Sequence, residues 1–156
     1  MQRLSASCTG PSRRKANRGF TLIETMIAVG IAGVLSSIAY PSLEGQVLRA
    51  RRSDGLVALM QVQLAQERFR ANNRSYGDLA EIGVRATSMS GYYTLQVTSS
   101  SLDGYEVIAT AAGRQARDAG CRTLRLSGYG ASVSYASGPD AAASNPVDVN
   151  RKCWNQ

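Results

Sequence analysis

Residues 20–40, FTLIETMIAVGIAGVLSSIAY, form an apolar run whose one charge is Glu24, and Pro41 follows directly. A run of this length matches the ~20 residues that a helix needs to cross a bilayer. The stretch before it carries Arg3, Arg13, Arg14, Lys15 and Arg18 and no acid. That excess puts the N-terminus on the cytoplasmic side, against the fewer charges of Arg49, Arg51 and Arg52 beyond the run. The net charge of +7 therefore belongs mostly to residues 1–19, and the remainder holds 13 basic against 11 acidic residues. Such a balance is weak ground for nucleic-acid binding by the rest of the chain. Histidine is absent, which removes the commonest general base and metal ligand. Three cysteines without histidine do not make an ordinary zinc site. No nucleophile–base pair or acid pair stands at a suggestive spacing, so the sequence points away from an enzyme, with no metal and no cofactor expected.

Three ways of processing the N-terminus compete. A secretory signal would be cut before Tyr40, after the small residues of Ser37-Ile38-Ala39. The apolar run is long for that purpose and bears an acid near its start. A lipoprotein signal, Leu4-Ser5-Ala6-Ser7-Cys8, lacks any apolar segment before its cysteine. The third cut falls between Gly19 and Phe20, removing the basic leader and leaving the apolar helix at the new terminus.

Arg18-Gly19-Phe20-Thr21-Leu22-Ile23-Glu24, continued by the apolar run to Pro41-Ser42, resembles the prepilin motif of type IV pilins and pseudopilins. The resemblance implies cleavage after Gly19 by a membrane prepilin peptidase, which would then N-methylate Phe20. It implies three parts: a cleaved leader over 1–19, a hydrophobic transmembrane and assembly helix over 20–41, and a periplasmic globular domain over 42–156 that includes the second half of the helix. Cys8 would leave with the leader.

A lone carboxylate in an apolar helix is costly and is usually functional. Glu24 could snorkel to the interface. The alternative, which the resemblance implies, is that it pairs with the Phe20 ammonium of a neighbouring subunit during assembly. Gly30 and Gly33 each weaken a helix by about 1 kcal/mol; they fit either close helix packing or a segment that unwinds. Pro41 removes a backbone donor. The resemblance implies loss of helicity between Gly33 and Pro41 on assembly.

Residues 42–71 are predicted to continue as helix and to end near Asn72-Asn73. Leu56, Val57, Met60 and Leu64, with Ala50 and Ala71, form the stripe expected to cover a sheet. Leu59, Val62 and Phe69 fall on another face, either as scattered exposure or as a contact face toward neighbours. Arg49, Arg51 and Arg52 read as a solvated face near the membrane, with a DNA or lipid patch as the alternative. Strands are predicted at Tyr92–Thr98, Tyr105–Ala111, Cys121–Leu126 and Gly130–Tyr135, with Gly128 marking the third turn. Joined in order, they make an antiparallel meander.

Cys121 and Cys153 enclose a small, polar, turn-rich stretch with little apolar surface to bury. A disulfide would hold it, at about 3–4 kcal/mol, in an oxidising compartment; two unpaired buried thiols are the alternative. The expected fold is α+β, the type IV pilin fold: a long N-terminal helix packed on a four-stranded antiparallel sheet, with a disulfide-bounded C-terminal loop. Gly91-Tyr92-Tyr93, Cys121 and Cys153-Trp154 are similar to PilE-type minor pilins. The resemblance implies a structural subunit of a type IV pilus serving twitching motility, adhesion or DNA uptake. Its partners would be prepilin peptidase, other pilin subunits, the inner-membrane assembly machinery and the membrane. A type II secretion pseudopilin and a DNA-binding competence pilin are the rival readings. For the latter Arg114, Arg117, Arg122 and Arg125 are the candidate contacts, and DNA is the less favoured partner.

Overall fold

The computed structural model describes residues 19–156, with the side chains of residues 38–42 set aside. The basic leader with Cys8, and the side chain of Pro41, lie outside the described residues. The chain divides into a unit ending at Ala39 and a unit of Tyr40–Gln156. One helix, α1 (Leu22–Asn72), supplies the first unit and opens the second. Its end falls where the sequence places it. The side-chain amides of Asn72 and Asn73 donate to the carbonyls of Arg68 and Phe69 at 3.1 and 2.8 Å, satisfying acceptors that the last turn leaves open. Arg70 donates to the carbonyls of Asn73 and Arg74 just beyond.

Four strands follow: β1 (Tyr93–Ser100), β2 (Gly104–Ala111), β3 (Thr123–Tyr129) and β4 (Ser132–Gly138). They pair antiparallel in sequence order, the expected meander. Val97, Val107, Leu126 and Tyr135 lie across from one another in register, as do Leu95, Ala109, Leu124 and Ser137. This face of the sheet supplies most of the core, including Tyr93, Leu95, Val107, Ala109, Leu124 and Leu126. Strand periodicity puts these side chains on one side of the pleat. β3 and β4 end later than predicted because Gly128 is not the turn. A Cβ there would lie 2.4 Å from the Tyr105 ring, so this glycine makes room for an aromatic within the sheet. The turn is Gly130-Ala131, with Gly130 at φ +54°, a conformation that glycine adopts without steric cost.

The rotation of α1 on the sheet differs from the predicted stripe. Leu59, Val62 and Gln66 are each 0% exposed, whereas Val57, Met60 and Leu64 are 51%, 56% and 52% exposed. Ala50 and Ala71 are exposed as well, and of the predicted stripe only Leu56 is buried. Gly55 explains the choice: a Cβ there would sit 2.8 Å from the Tyr93 ring. The Tyr93 ring packs directly on the helix backbone at this glycine, which turns Arg52, Leu56, Leu59, Val62 and Gln66 inward at helical spacing. Gln66 then closes a two-bond bridge to the backbone of Gly77, donating at 2.7 Å and accepting at 3.0 Å. This satisfies a buried amide and tethers the loop that follows α1.

A second helix, α2 (Val147–Trp154), lies in the stretch read as a polar, turn-rich, disulfide-bounded loop. Pro146 precedes it in extended conformation, Asp148 is in its first turn, Arg151 and Lys152 are in its last, and Asn155 ends it in the left-handed region at φ 55°. Each of these is a start or stop signal for a helix. Trp154 fixes α2 to β4, donating to the Ala136 carbonyl at 3.0 Å and packing on Tyr135 with centroids 4.7 Å apart.

Candidate functional site

At the start of α1 the Thr21 hydroxyl accepts the Glu24 N–H at 3.3 Å, and the Glu24 carboxylate accepts the Thr21 N–H at 3.5 Å. This is a capping box, two otherwise open amides satisfied reciprocally, and the T-x-x-E pattern that encodes it was readable in the sequence. Gly19, Phe20 and Glu24 thus share the first turn and the residues before it, and the Glu24 side chain turns back toward Thr21. Phe20 is 83% exposed. Along the helix Leu22, Ile23, Met26, Ile27, Val29, Ile31, Val34 and Leu35 are exposed too, and a Cβ at Gly30 or Gly33 would meet nothing within 4 Å. Ser36 and Ser37 return their hydroxyls to the carbonyls of Ala32 and Val34 at 2.7 Å, which removes two donors from the apolar surface. Among the described residues no helix is long and apolar enough to cross a membrane. The described side chains of the apolar run end at Ser37, short of the ~20 residues of a span.

The remaining predicted site residues, Cys121 and Cys153, are in the globular unit and are bonded to each other, with Cα atoms 5.5 Å apart. The bond closes onto a polar network that the sequence did not reveal. Arg52 grips Asp118 with two nitrogens, at 2.5 and 2.8 Å, and donates a third bond to the Lys152 carbonyl at 3.1 Å. Both side chains are largely buried, which corrects the reading of Arg52 as part of a solvated face. The hydrogen bond from Arg52 to Asp118 raises the Arg52 pKa further, outweighing the cost of burial. Gln115, fully buried, donates to the Leu48 carbonyl at 3.0 Å and to the Tyr93 hydroxyl at 3.2 Å. Burial pushes the Tyr93 phenol up to about 12. Asp54 accepts from the Ser88 hydroxyl and from the Ser90 N–H; burial opposes its charge, but these bonds hold its pKa below the usual carboxylate value. Arg51 lies over the Tyr92 ring, 4.6 Å from its centroid.

The four arginines offered as DNA contacts do not form one free patch. Arg125 pairs with Glu106 at 3.6 Å and donates to the carbonyls of Ala141 and Ala142. Arg117 pairs with Glu44 at 2.8 Å, and Arg122 donates to the Ala116 carbonyl at 3.1 Å. Arg114 is exposed beside Arg117, in an open cleft with Leu43, Val47 and Arg51. No three of His, Cys, Asp and Glu converge as metal ligands among the described residues.

The family model of the type IV minor pilin ComP, DNA uptake sequence receptor, matches residues 41–125. The prokaryotic N-terminal methylation motif matches residues 14–40. Among curated proteins, the type IV major pilin protein PilA of Myxococcus xanthus is 32% identical over 136 residues, 85% of this chain and 57% of that protein. The type II secretion system core protein G of Klebsiella michiganensis is 33% identical over 64 residues, 41% of this chain and 45% of that protein. The type IV major pilin protein PilE1 of Neisseria gonorrhoeae is 30% identical over 83 residues, 52% of this chain and 39% of that protein. The chain thus spans about half the length of these relatives. The helix-on-meander fold, the C-terminal disulfide and the two family models converge: the chain belongs to the type IV pilin family.

Proposed function

We propose that this protein is a minor pilin, cut after Gly19, N-methylated on Phe20, anchored in the inner membrane by residues 20–41 and then drawn into a pilus. The observation that carries this is apolar surface that the chain's own fold leaves open. In the first unit it comprises Met26, Val29 and Val34, and the second unit separately exposes Val57, Met60 and Leu64. A solitary soluble protein rarely leaves so much apolar helix exposed; bilayer and neighbouring helices would take it up in turn. The Glu24 carboxylate, turned back toward Thr21, is suitably placed for a neighbour's Phe20 ammonium, and a charge pair in a dry bundle satisfies both groups. The Cys121–Cys153 closure favours a pilus over a secretion pseudopilus. The test is Glu24→Ala. The variant is expected to begin at Phe20, to partition with membranes and to be missing from sheared fibres. Normal incorporation would overturn the assembly role of the carboxylate, and a mature start at Tyr40 would overturn the pilin processing.

The match to the ComP model favours one second reading, capture of DNA for uptake. Against it stand the balanced charge of the mature chain and the engagement of Arg117, Arg122 and Arg125 with acids and carbonyls. DNA affinity built on few phosphate contacts decays between 50 and 200 mM salt. A gel-shift titration with the mature chain in detergent is expected to give binding that vanishes over that range. Submicromolar binding that survives 200 mM salt, and falls on Arg122→Ala with Arg125→Ala, would make DNA capture the better account.

A further inference from the structure

The end of the globular unit where α1 enters it is markedly basic; assembly does not use these cations, and the DNA contacts weighed above include only Arg114 among those that stand free there. Two open clefts flank α1 there. One, of about 390 Å³, is lined by Leu43, Val47, Arg51 and Arg114 among others. The other, of about 520 Å³, is lined by Arg49, Arg151, Lys152 and the Arg52–Asp118 pair among others. Arg49, Arg114, Arg151 and Lys152 are exposed, and among the described residues their side chains make no hydrogen bond or ion pair. The acids nearby are largely spoken for, Glu44 by Arg117 and Asp118 by Arg52. Leu43 and Val47, 61% and 45% exposed, stand beside the cations.

Cations with long aliphatic stems beside exposed aliphatic side chains suit the boundary between headgroups and acyl chains. The position agrees. Leu43 comes two residues after Pro41 in the chain, and at about 1.5 Å per residue Arg49 stands roughly 12 Å along the helix from Pro41. Helical side chains lean toward the helix N-terminus, which here is the bilayer side. We propose that this basic collar binds anionic phospholipid headgroups of the periplasmic leaflet, holding the unassembled subunit upright against the membrane until it is extracted. The proposal rests on the membrane anchoring proposed above. A DNA duplex is the weaker fit, because a site this close to the run's exit would have to share its space with the bilayer.

The mature full-length chain is reconstituted in vesicles of mixed phosphatidylglycerol and phosphatidylcholine, and the lipids it retains are read by native mass spectrometry. Retention of phosphatidylglycerol over phosphatidylcholine is expected, weakening as salt rises. Each basic residue near an anionic surface contributes about a factor of five. The quadruple variant Arg49→Gln, Arg114→Gln, Arg151→Gln, Lys152→Gln should therefore lose at least tenfold in that preference with an unchanged circular dichroism spectrum. Replacing the three arginines by lysine should preserve it. Equal retention of the two lipids, or a preference untouched by the quadruple change, overturns the proposal. Displacement of the lipid by a duplex oligonucleotide through the same four charges overturns it in favour of DNA. Flotation with pure phosphatidylcholine vesicles separates the two levels: a chain that does not float refutes the anchoring itself, and one that floats without preferring the anionic lipid refutes the collar alone.

Discussion

The two faces of α1 in the globular unit carry similar apolar residues and serve opposite ends. Leu56, Leu59 and Val62 are buried against the sheet, while Val57, Met60 and Leu64, one or two positions on, remain about half exposed. Hydrophobicity alone does not separate them, since both sets recur at helical spacing. What separates them is the company they keep. The inward face also carries Gly55, Arg52 and Gln66, each matched to one feature of the rest of the fold: the Tyr93 ring, the Asp118 carboxylate and the Gly77 backbone. Among the described residues, Val57, Met60 and Leu64 on the outward face have no such matched companions. A face that specifies its partner through polar and steric detail stabilises one fold. A face that is merely greasy can meet whatever similar helix comes next to it, as a repeating assembly requires.

The largest test of that contrast is Asp118→Ala. It strands the Arg52 guanidinium in a largely buried site, where breaking a pair costs about 3–5 kcal/mol; chemical denaturation should show the loss, and a change under 1 kcal/mol would mean the inward face is not held by its charges. Next is the double change Cys121→Ser and Cys153→Ser. For a link spanning 32 positions the chain-entropy estimate is about 3–4 kcal/mol. The Trp154 bond to Ala136 should nevertheless keep α2 docked in the folded fraction, seen as an unchanged Trp emission maximum. The faces can then be set against each other one residue apart. Leu59→Ala should cost about 3 kcal/mol and Met60→Ala under about 0.5 kcal/mol, whereas Met60→Ala with Leu64→Ala should depress recovery in sheared fibres. Equal melting shifts for Leu59→Ala and Met60→Ala would erase the distinction. The smallest effect is alkaline. A buried phenol raised to about 12 favours the neutral form in the folded chain, so its contribution is intact below about pH 10 and is lost as pH rises toward about 12. Melting temperatures measured across that range should fall less steeply in Tyr93→Phe.

What could be read in the sequence was whatever is encoded by neighbours along the chain. The end of α1 at Asn72-Asn73 and the order of four strands follow from local chemistry, and the cysteine pair from a segment with little else to hold it. The rotation of α1 was misread because its determinant, Gly55 against Tyr93, joins residues 38 positions apart, and glycine in a helix looks locally like a weak point. Arg52 was misread for the same reason: three arginines within four residues, close after the apolar run, look solvated until Asp118 arrives from a distant turn. Gly128 looked like a turn because glycine usually is one; only the Tyr105 ring opposite explains it inside β3. The missed helix α2 is the different case. Pro146, Asp148, Lys152 and Asn155 were all legible as boundary signals, and its short length and polar setting masked them.

The three bonds of Arg52 have a consequence for the order of events in biosynthesis. They join position 52 to positions 118 and 152, and the disulfide that seals the same corner uses Cys153. Helix and early strands emerge first, but the guanidinium on that helix has no complete set of partners until residues 118 and 152 are made. Contacts so distant in sequence close slowly, and an unsatisfied buried charge keeps the helix from settling on the sheet. The globular unit therefore couples the seating of its helix to the arrival of Asp118 and Lys152. A chain cut short of residue 118 leaves Arg52 without its carboxylate, and one cut short of residue 152 lacks its third bond.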